Sequence, residues 1–508
     1  MRSKNAFRNL IVSLAYEVVI LALGLIVPRF IILSYGDSIN GLTQTINRLL
    51  TLVNLLQAGA VGASIFQMFK PVADEDYETQ SAVMYSSRRF FNRMGVVYIV
   101  IISLCSVFYG LYLQNEQLSA FEIIVSFLIL AINGSLYFFF TSRYDIVFSS
   151  YQKKYLLTIA SFVERIVYYT LLFLVAFEKL HFILMYVALL IGGIIRVLVN
   201  TVFYYKLVGG KIHNHPQNKR YIIKDRKFLM FASIGDQAVA AAPTVIVTTF
   251  IGLAESSVFS IYSMIYISMK TLINSLHHAV SAIFGNLVTT SDDKKIASVF
   301  NILVYMFVVL GTFLASCTAF LFMDFIALYS RGFTGVNYNY PLLAELVVVY
   351  IAVFAIRIVF NFVANSYGLF KLTCKASLVC GGMALVISTL FTILFGMPYV
   401  MTGAIFYELS SMCILIYAFK KQIAWFRTEK WIIRALVLIF APTISWLIRG
   451  VLPFSVLGWL QWVLSAVLYA VCVVTVLLAY SLIFERKEFA SLMRYTKQIL
   501  HSKRGTDK

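Results

Sequence analysis

The sequence predicts an all-α, polytopic membrane protein of about fourteen transmembrane helices, and three observations carry that prediction. First, 60% of the 508 residues are hydrophobic and only 13% are charged, with a mean hydropathy of +0.84. A soluble domain is typically about 45–50% apolar and about 25% charged. Second, apolar runs of roughly 20 residues, the length that crosses a bilayer as a helix, recur along the whole chain. Third, Lys and Arg collect in alternate connecting segments, as the positive-inside rule requires.

Taken in order, the basic segment MRSKNAFRN leads into the first apolar run, 10–34. That run is longer than the roughly 7–15-residue core of a secretory signal and lacks a small-residue cleavage site, so it reads as a retained first span. The second span, 40–67, is unusually polar and ends in small residues. Spans three to six fall at 94–113, 121–148, 156–177 and 182–205. The stretch KLVGGKIHNHPQNKRYIIKDRK (206–227) is too basic to cross and forms the largest connecting loop. A second group follows at 228–253, 258–287, 299–328, 342–369, 376–396 and 400–419, then two further spans at 432–452 and 459–484. Several exceed the bilayer's need, which implies tilt or protruding ends. The expected organisation is an N-terminal six-helix lobe (1–205), a basic linker (206–227), a C-terminal six-helix lobe (228–419), and two added spans with a basic tail (420–508).

An even number of spans puts both termini on one side. With the N-terminus in the cytoplasm, the cytoplasmic segments hold 31 of the 42 Lys and Arg residues, and the outward loops hold two, Lys179 and Arg331. The net charge of +19 is accounted for by orientation and by contact with anionic head groups, without a nucleic-acid partner. No GxxxxGK[ST] phosphate loop is present, which argues against a built-in ATPase. The six cysteines form no CxxC pair, and His213 and His215 have no obvious third ligand. Neither a metal nor another cofactor is expected.

The two groups of six spans suggest an internal repeat. Span two and span eight each follow a short outward loop headed by glycine, Gly36 or Gly252, with Pro28 or Pro243 shortly before it. At 100° per residue, Gln44, Asn47, Arg48, Thr51 and Asn54 fall within an arc of about 120° on span two. On span eight, Ser263, Tyr266, Lys270, Asn274, His277, His278 and Ser281 fall within a similar arc of about 120°. A lipid-facing helix would not carry such a stripe, because unsatisfied polar groups in hydrocarbon cost several kcal/mol each. Both stripes should face the bundle interior or a wet cavity; interhelical hydrogen bonding would serve the amides alone equally well, but with Arg48 and Lys270 in the same arcs a cavity is favoured.

Arg48, Arg196, Lys270 and Arg357 lie deep in the spans, with Arg29 and Arg165 as further candidates. Arg143, Arg434 and Arg449 lie close enough to span ends to snorkel, and Asp324 and Glu345 lie near the outer surface. The deep acids are Glu17, Glu164, Asp236 and Glu408. This excess of cations suits an anionic cargo, and the planar fork of Arg suits phosphate. Proton or sodium coupling would need a deep carboxylate, for which Glu17 and Asp236 are candidates; pairing with neighbouring arginines is the alternative.

The stretch GLIVPRFIILSYGDSINGLTQTINRLLTLVNLLQAGAVGASI resembles the opening of the bacterial polysaccharide-export flippases. These form the oligosaccharidyl-lipid branch of the superfamily that also holds multidrug antiporters and the peptidoglycan-precursor flippase. Pro28–Arg29, the glycine-led turn from Gly36 to Gly41, and the small residues Gly59, Gly62, Ala63 and Ser64 carry the likeness, with the inward turn SSYQKKYLL (149–157). It is strongest over roughly the first 200 residues. The resemblance implies two lobes around a cavity open to one side at a time, in the bacterial cytoplasmic membrane. The implied cargo is a polyprenyl-pyrophosphate-linked oligosaccharide for O-antigen, capsule or exopolysaccharide, and polymerase or export machinery would be partners beside membrane lipids. Arg29, Arg48 and Lys270 fall where relatives place cavity cations; Arg196 and Arg357 are candidates without that match. The rivals are a peptidoglycan-precursor flippase or a multidrug antiporter of the same superfamily and, from another class, a membrane glycosyltransferase or polymerase. The longest outward loop, SRGFTGVNYNYP (330–341), contains no Asp or Glu, which counts against an outward-facing catalytic carboxylate.

Overall fold

The structure, a computed structural model, describes residues 2–113, 118–212, 226–423, 425–426, 431–451 and 458–494. His213 and His215 lie outside the described residues. Among the described residues, fourteen long helices make up the fold: α1 Arg2–Tyr35, α2 Asp37–Ala73, α3 Tyr77–Tyr112, α4 Ala120–Ser150, α5 Tyr155–Phe177, α6 Ile183–Val208 and α7 Arg226–Phe250. They continue with α8 Leu253–Thr290, α9 Asp293–Tyr329, α10 Pro341–Ser366, α11 Phe370–Phe395, α12 Met401–Gln422, α13 Trp431–Val451 and α14 Trp459–Phe484. Each contains one span expected from hydropathy, so the all-helical membrane fold is as the composition implies. Among the described residues, ten of these helices are long and apolar enough to cross a membrane. The two polar-striped helices, α2 and α8, are not in that set.

The helices outrun the apolar spans, because at 1.5 Å per residue a helix of 34 to 38 residues exceeds a hydrocarbon core of about 30 Å. The extra turns are the ends of the connecting segments, and several joints are therefore tight. Gly36 takes φ 89° and breaks the helix between α1 and α2, a conformation open to glycine at little cost. Asp76 caps α3, its carboxylate accepting from the Thr79 amide at 2.9 Å. Ser119 and Glu122 form a reciprocal capping box at the start of α4. Pro28, Pro71, Pro243 and Pro442 lie inside helices, which membrane helices tolerate where neighbours satisfy the freed carbonyls. Residues 137–141 of α4 form a single π turn.

The chain divides into two compact units. The first comprises Met1–Ser260 with Phe333–Val336. There α2 runs against α3, α4 and α7, α5 packs on α6 and α1, and α4 packs on α3 and α6. Its core includes Leu42, Ile46, Phe91, Tyr98, Phe127, Phe138 and Tyr144, all nearly or fully buried. Gly41 lets α2 touch the start of α8: a Cβ there would lie 1.8 Å from the Leu253 carbonyl oxygen. The second unit comprises Ile261–Gly332 and Asn337–Lys508. Helix α10 is buried along most of its length against α9 and α12, and α13 and α14 pack on α9. Gly311 and Ala355 allow the close α9–α10 approach, and Gly403 does the same for α12 on α11.

Candidate functional site

In the first unit, the polar residues of α2 are divided along its length. Its first turn, ahead of the stripe, is closed. Asn40 is fully buried and donates to Ser257 Oγ at 2.7 Å and to Ser260 Oγ at 3.3 Å on α8. One face round, Thr45 Oγ1 lies 2.5 Å from Thr248 Oγ1 of α7, which donates to Ser256 Oγ at 2.8 Å. Thr43 and the Tyr186 hydroxyl are 2.9 Å apart. These are the interhelical hydrogen bonds that polar side chains supply in membranes.

Further along α2 the stripe is open. Gln44 and Arg48 are half-buried, and Asn47 and Thr51 are exposed. Thr51 donates to its own helix, at the Asn47 carbonyl, 2.7 Å away. Among the described residues, Arg48 has neither a carboxylate nor a hydrogen-bond partner. Arg29, on α1, is half-buried with its guanidinium carbon 5.4 Å from the Phe333 ring centroid. The Asn54 and Glu17 side chains lie outside the described residues, and Asp236 is half-buried on α7.

The stripe on α8 meets a different surface. Lys270 Nζ donates to the Tyr350 hydroxyl at 3.3 Å and stands 4.9 Å from the Phe354 ring centroid. Tyr266 packs edge-on against Tyr350, with centroids 5.4 Å apart, and His277 lies 5.7 Å from Phe362. Asn274 is half-buried beside them on α8. A face of α10 thus gives the cationic stripe an aromatic wall, in which an ammonium over a ring is favourable. Periodicity on α8 does not reveal that wall, since it is made by another helix.

Arg196 and Arg357 are held by acids. Arg196 donates from Nη1 to Glu164 at 2.8 Å, across the α5–α6 contact where Gly192 approaches Glu164. Arg357 forms a buried ion pair with Glu408, its guanidinium 5.1 Å from the Tyr407 ring centroid. The expectation that Arg434 snorkels is corrected by the structure: it is fully buried and forks onto Glu485, Nε–Oε1 2.7 Å and Nη2–Oε2 3.0 Å. The reason is local. The chain turns back after α14 and brings Glu485 over the start of α13, so the guanidinium finds a carboxylate before it finds water. Arg449 pairs with Asp324 at the opposite end of α13, Nε–Oδ2 2.8 Å.

The sequence matches no protein-family model, and no curated protein matches it at the sequence level. Solved structures do match. The lipid II flippase MurJ, in an inward closed conformation, superposes with TM-score 0.67 at 14% identity, covering 94% of this chain and 99% of that one. An inward-facing multidrug resistance MATE family transporter of the MOP superfamily superposes with TM-score 0.62 at 14% identity, over 82% of this chain and 99% of the other. A MATE protein in a bent conformation gives 0.52 at 13% identity, over 83% and 92%. The fold is therefore the one these MOP-superfamily transporters share. At such identities the likeness defines the fold and leaves the cargo open.

Proposed function

We propose that the protein is a flippase that moves a polyprenyl-pyrophosphate-linked oligosaccharide across the bacterial cytoplasmic membrane for surface-polysaccharide synthesis, by alternating access. The observation that carries this reading is Arg48. It is a half-buried cation in an accessible amide stripe, without an acidic partner among the described residues, in a chain with the fold of a lipid II flippase. An ionisable residue at membrane depth is costly and is kept for function, and a guanidinium without a carboxylate is ready for phosphate oxygens. Arg48 with Arg29, Gln44, Asn47, Thr51 and Asn54 would hold the diphosphate and first sugars. Lys270 and Asn274 would contribute from the second stripe, and Arg196 and Arg357 would tune the field through their acids. Glu17 and Asp236 are the proposed coupling carboxylates.

On this reading the working bodies are residues 1–205 and 228–419, linked by 206–227, with 420–508 appended and both termini cytoplasmic. The hydroxyl contacts of α2 with α7 and α8 (Thr45 with Thr248, Asn40 with Ser257) are then contacts that break and re-form as access alternates. The multidrug reading shares the fold, but two of the four deep acids, Glu164 and Glu408, are each committed to an arginine and so do not serve a cationic drug.

The test is depletion of the protein in its native cell, followed by mass spectrometry of extracted polyprenyl-pyrophosphate oligosaccharides. One such species should accumulate and return to baseline with the wild-type protein but not with Arg48→Ala present at wild-type level in the membrane. An unchanged lipid-linked pool, or full rescue by Arg48→Ala, would remove the phosphate-binding role.

A further inference from the structure

A cavity lies wholly within the second unit, where α9, α10, α12 and α13 leave a space of about 560 Å³. Its floor is apolar and buried, with Phe322, Val348, Ala352 and Leu438. Its rim is apolar and exposed: Ile439 is 62% accessible, and Val349, Leu409 and Trp446 are exposed as well. Among the described residues lining it, Glu345 carries the only charge. Glu345 is half-buried and makes no hydrogen bond or ion pair with any described residue. This separates it from Glu164, Glu408 and Glu485, each of which holds an arginine.

Several features fix the depth of Glu345 in the membrane. It stands about one turn inside the start of α10 at Pro341. The Asp324–Arg449 pair, at the same ends of α9 and α13, is partly accessible. Trp459 and Trp462 pack on Phe325 there, and Trp462 donates to the Leu321 carbonyl at 3.2 Å. Clustered Trp beside a partly wet ion pair marks the level of lipid head groups. The carboxylate therefore lies at head-group depth, and the apolar groove leads from it into the hydrocarbon layer.

We propose that this groove binds a phospholipid with a primary-amine head group, phosphatidylethanolamine in chemical class. An acyl chain would lie along α10 and α13, and the ammonium would donate to Glu345. Charge complementarity selects the occupant. A primary ammonium gives the carboxylate charge-assisted hydrogen bonds. A choline head group has no N–H to give, and a glycerol head group leaves the lipid anionic and repelled. The site is independent of the transport reading, since it needs only a membrane-embedded second unit and shares no lining residue with the stripes on α2 and α8.

The experiment is native mass spectrometry of the full-length protein, purified in neutral detergent and exposed to an equimolar mixture of phosphatidylethanolamine, phosphatidylcholine and phosphatidylglycerol with identical acyl chains. Retention of the amine lipid should exceed that of either other lipid by about tenfold, the scale of one hydrogen bond to a charged group. Glu345→Gln should reduce amine-lipid retention to the phosphatidylcholine level, and Ala352→Trp, which fills the floor, should lower retention of the amine lipid further. Equal retention of the three lipids by the wild-type protein would overturn the proposal without any variant. A preference that survives Glu345→Gln, or amine-lipid retention unchanged by Ala352→Trp, would overturn it as well.

Discussion

Arg48 on α2 and Arg357 on α10 both lie well inside long helices, yet their surroundings differ in kind. Arg357 is 6% exposed and is met by Glu408, itself 1% exposed, with the Tyr407 ring beside the guanidinium. Arg48 is half-buried among amides and has no acid among the described residues. The charge of each is plain in the sequence, and its use is not. A buried pair is a closed arrangement whose members satisfy each other, whereas an accessible cation without an acid retains its capacity for an outside anion. Lys270 stands between these cases, with a hydroxyl and an aromatic ring as partners.

The largest expected effect separates the two arginines by stability. Arg357→Met leaves Glu408 buried without its cation and should cost about 3–5 kcal/mol, the usual range for breaking a buried pair from one side. Arg434→Met should do the same to Glu485, which is 1% exposed. Replacing both members, as in Arg357→Met with Glu408→Leu, should recover most of that loss, because an apolar pair of similar volume needs no compensation. Arg48→Met should stay within about 0.5 kcal/mol of the wild type. Thermal unfolding of the purified variants in one detergent reads all of these, and an Arg48→Met loss as large as that of Arg357→Met would collapse the distinction.

The intermediate case sharpens it. A double-mutant cycle between Lys270→Met and Phe354→Leu should give a coupling of about 0.5–2 kcal/mol, the range for a cation over a ring. If the Lys270 cycle returns zero, the aromatic wall is mere packing and Lys270 joins Arg48 as an accessible cation.

These contrasts also show which properties a single sequence reveals. Long apolar runs fix the number and type of helices, since nothing else buries so much apolar backbone in a bilayer. The glycine-led breaks at Gly36 and Gly252 were legible for a similar reason: a non-glycine residue would be strained at φ 89° or 152°. The polar stripe on α2 was visible at helical period. What could not be read is which helix faces each stripe. Arg357 and Glu408 are separated by 51 residues, as are Arg434 and Glu485, and their pairing depends on rotation and register that no local pattern encodes. Arg434 was misplaced for that reason: its position near a span end suggested water, while the returning chain supplied Glu485. The first turn of α2, closed through Asn40, and the stripe that stays open read alike in sequence. Only the arrival of Ser257 from α8 divides them.

The smallest effect tests the same distinction at the joints that follow the striped helices. After α2, Asp76 caps α3 with its side chain on the Thr79 amide and hydroxyl. After α8, Asp292 holds the corresponding position before α9 and makes no side-chain cap bond. Hydrogen bonds from the Thr79 side chain and backbone hold the Asp76 carboxyl below the ordinary carboxylate range. A lowered native value means that the folded state favours the ionised form. The resulting stability is fully present above the unfolded-chain value, about 3.9 for Asp, and is lost as pH falls through the lower native value. Asp76→Asn keeps a capping oxygen without the titration. Its thermal midpoint should therefore lie slightly below wild type at neutral pH, and the gap should close as the pH drops below about 4. Midpoints recorded from neutral pH down to about pH 3 decide the matter. A constant offset for Asp76→Asn would mean that the cap acts through geometry alone, with its charge irrelevant.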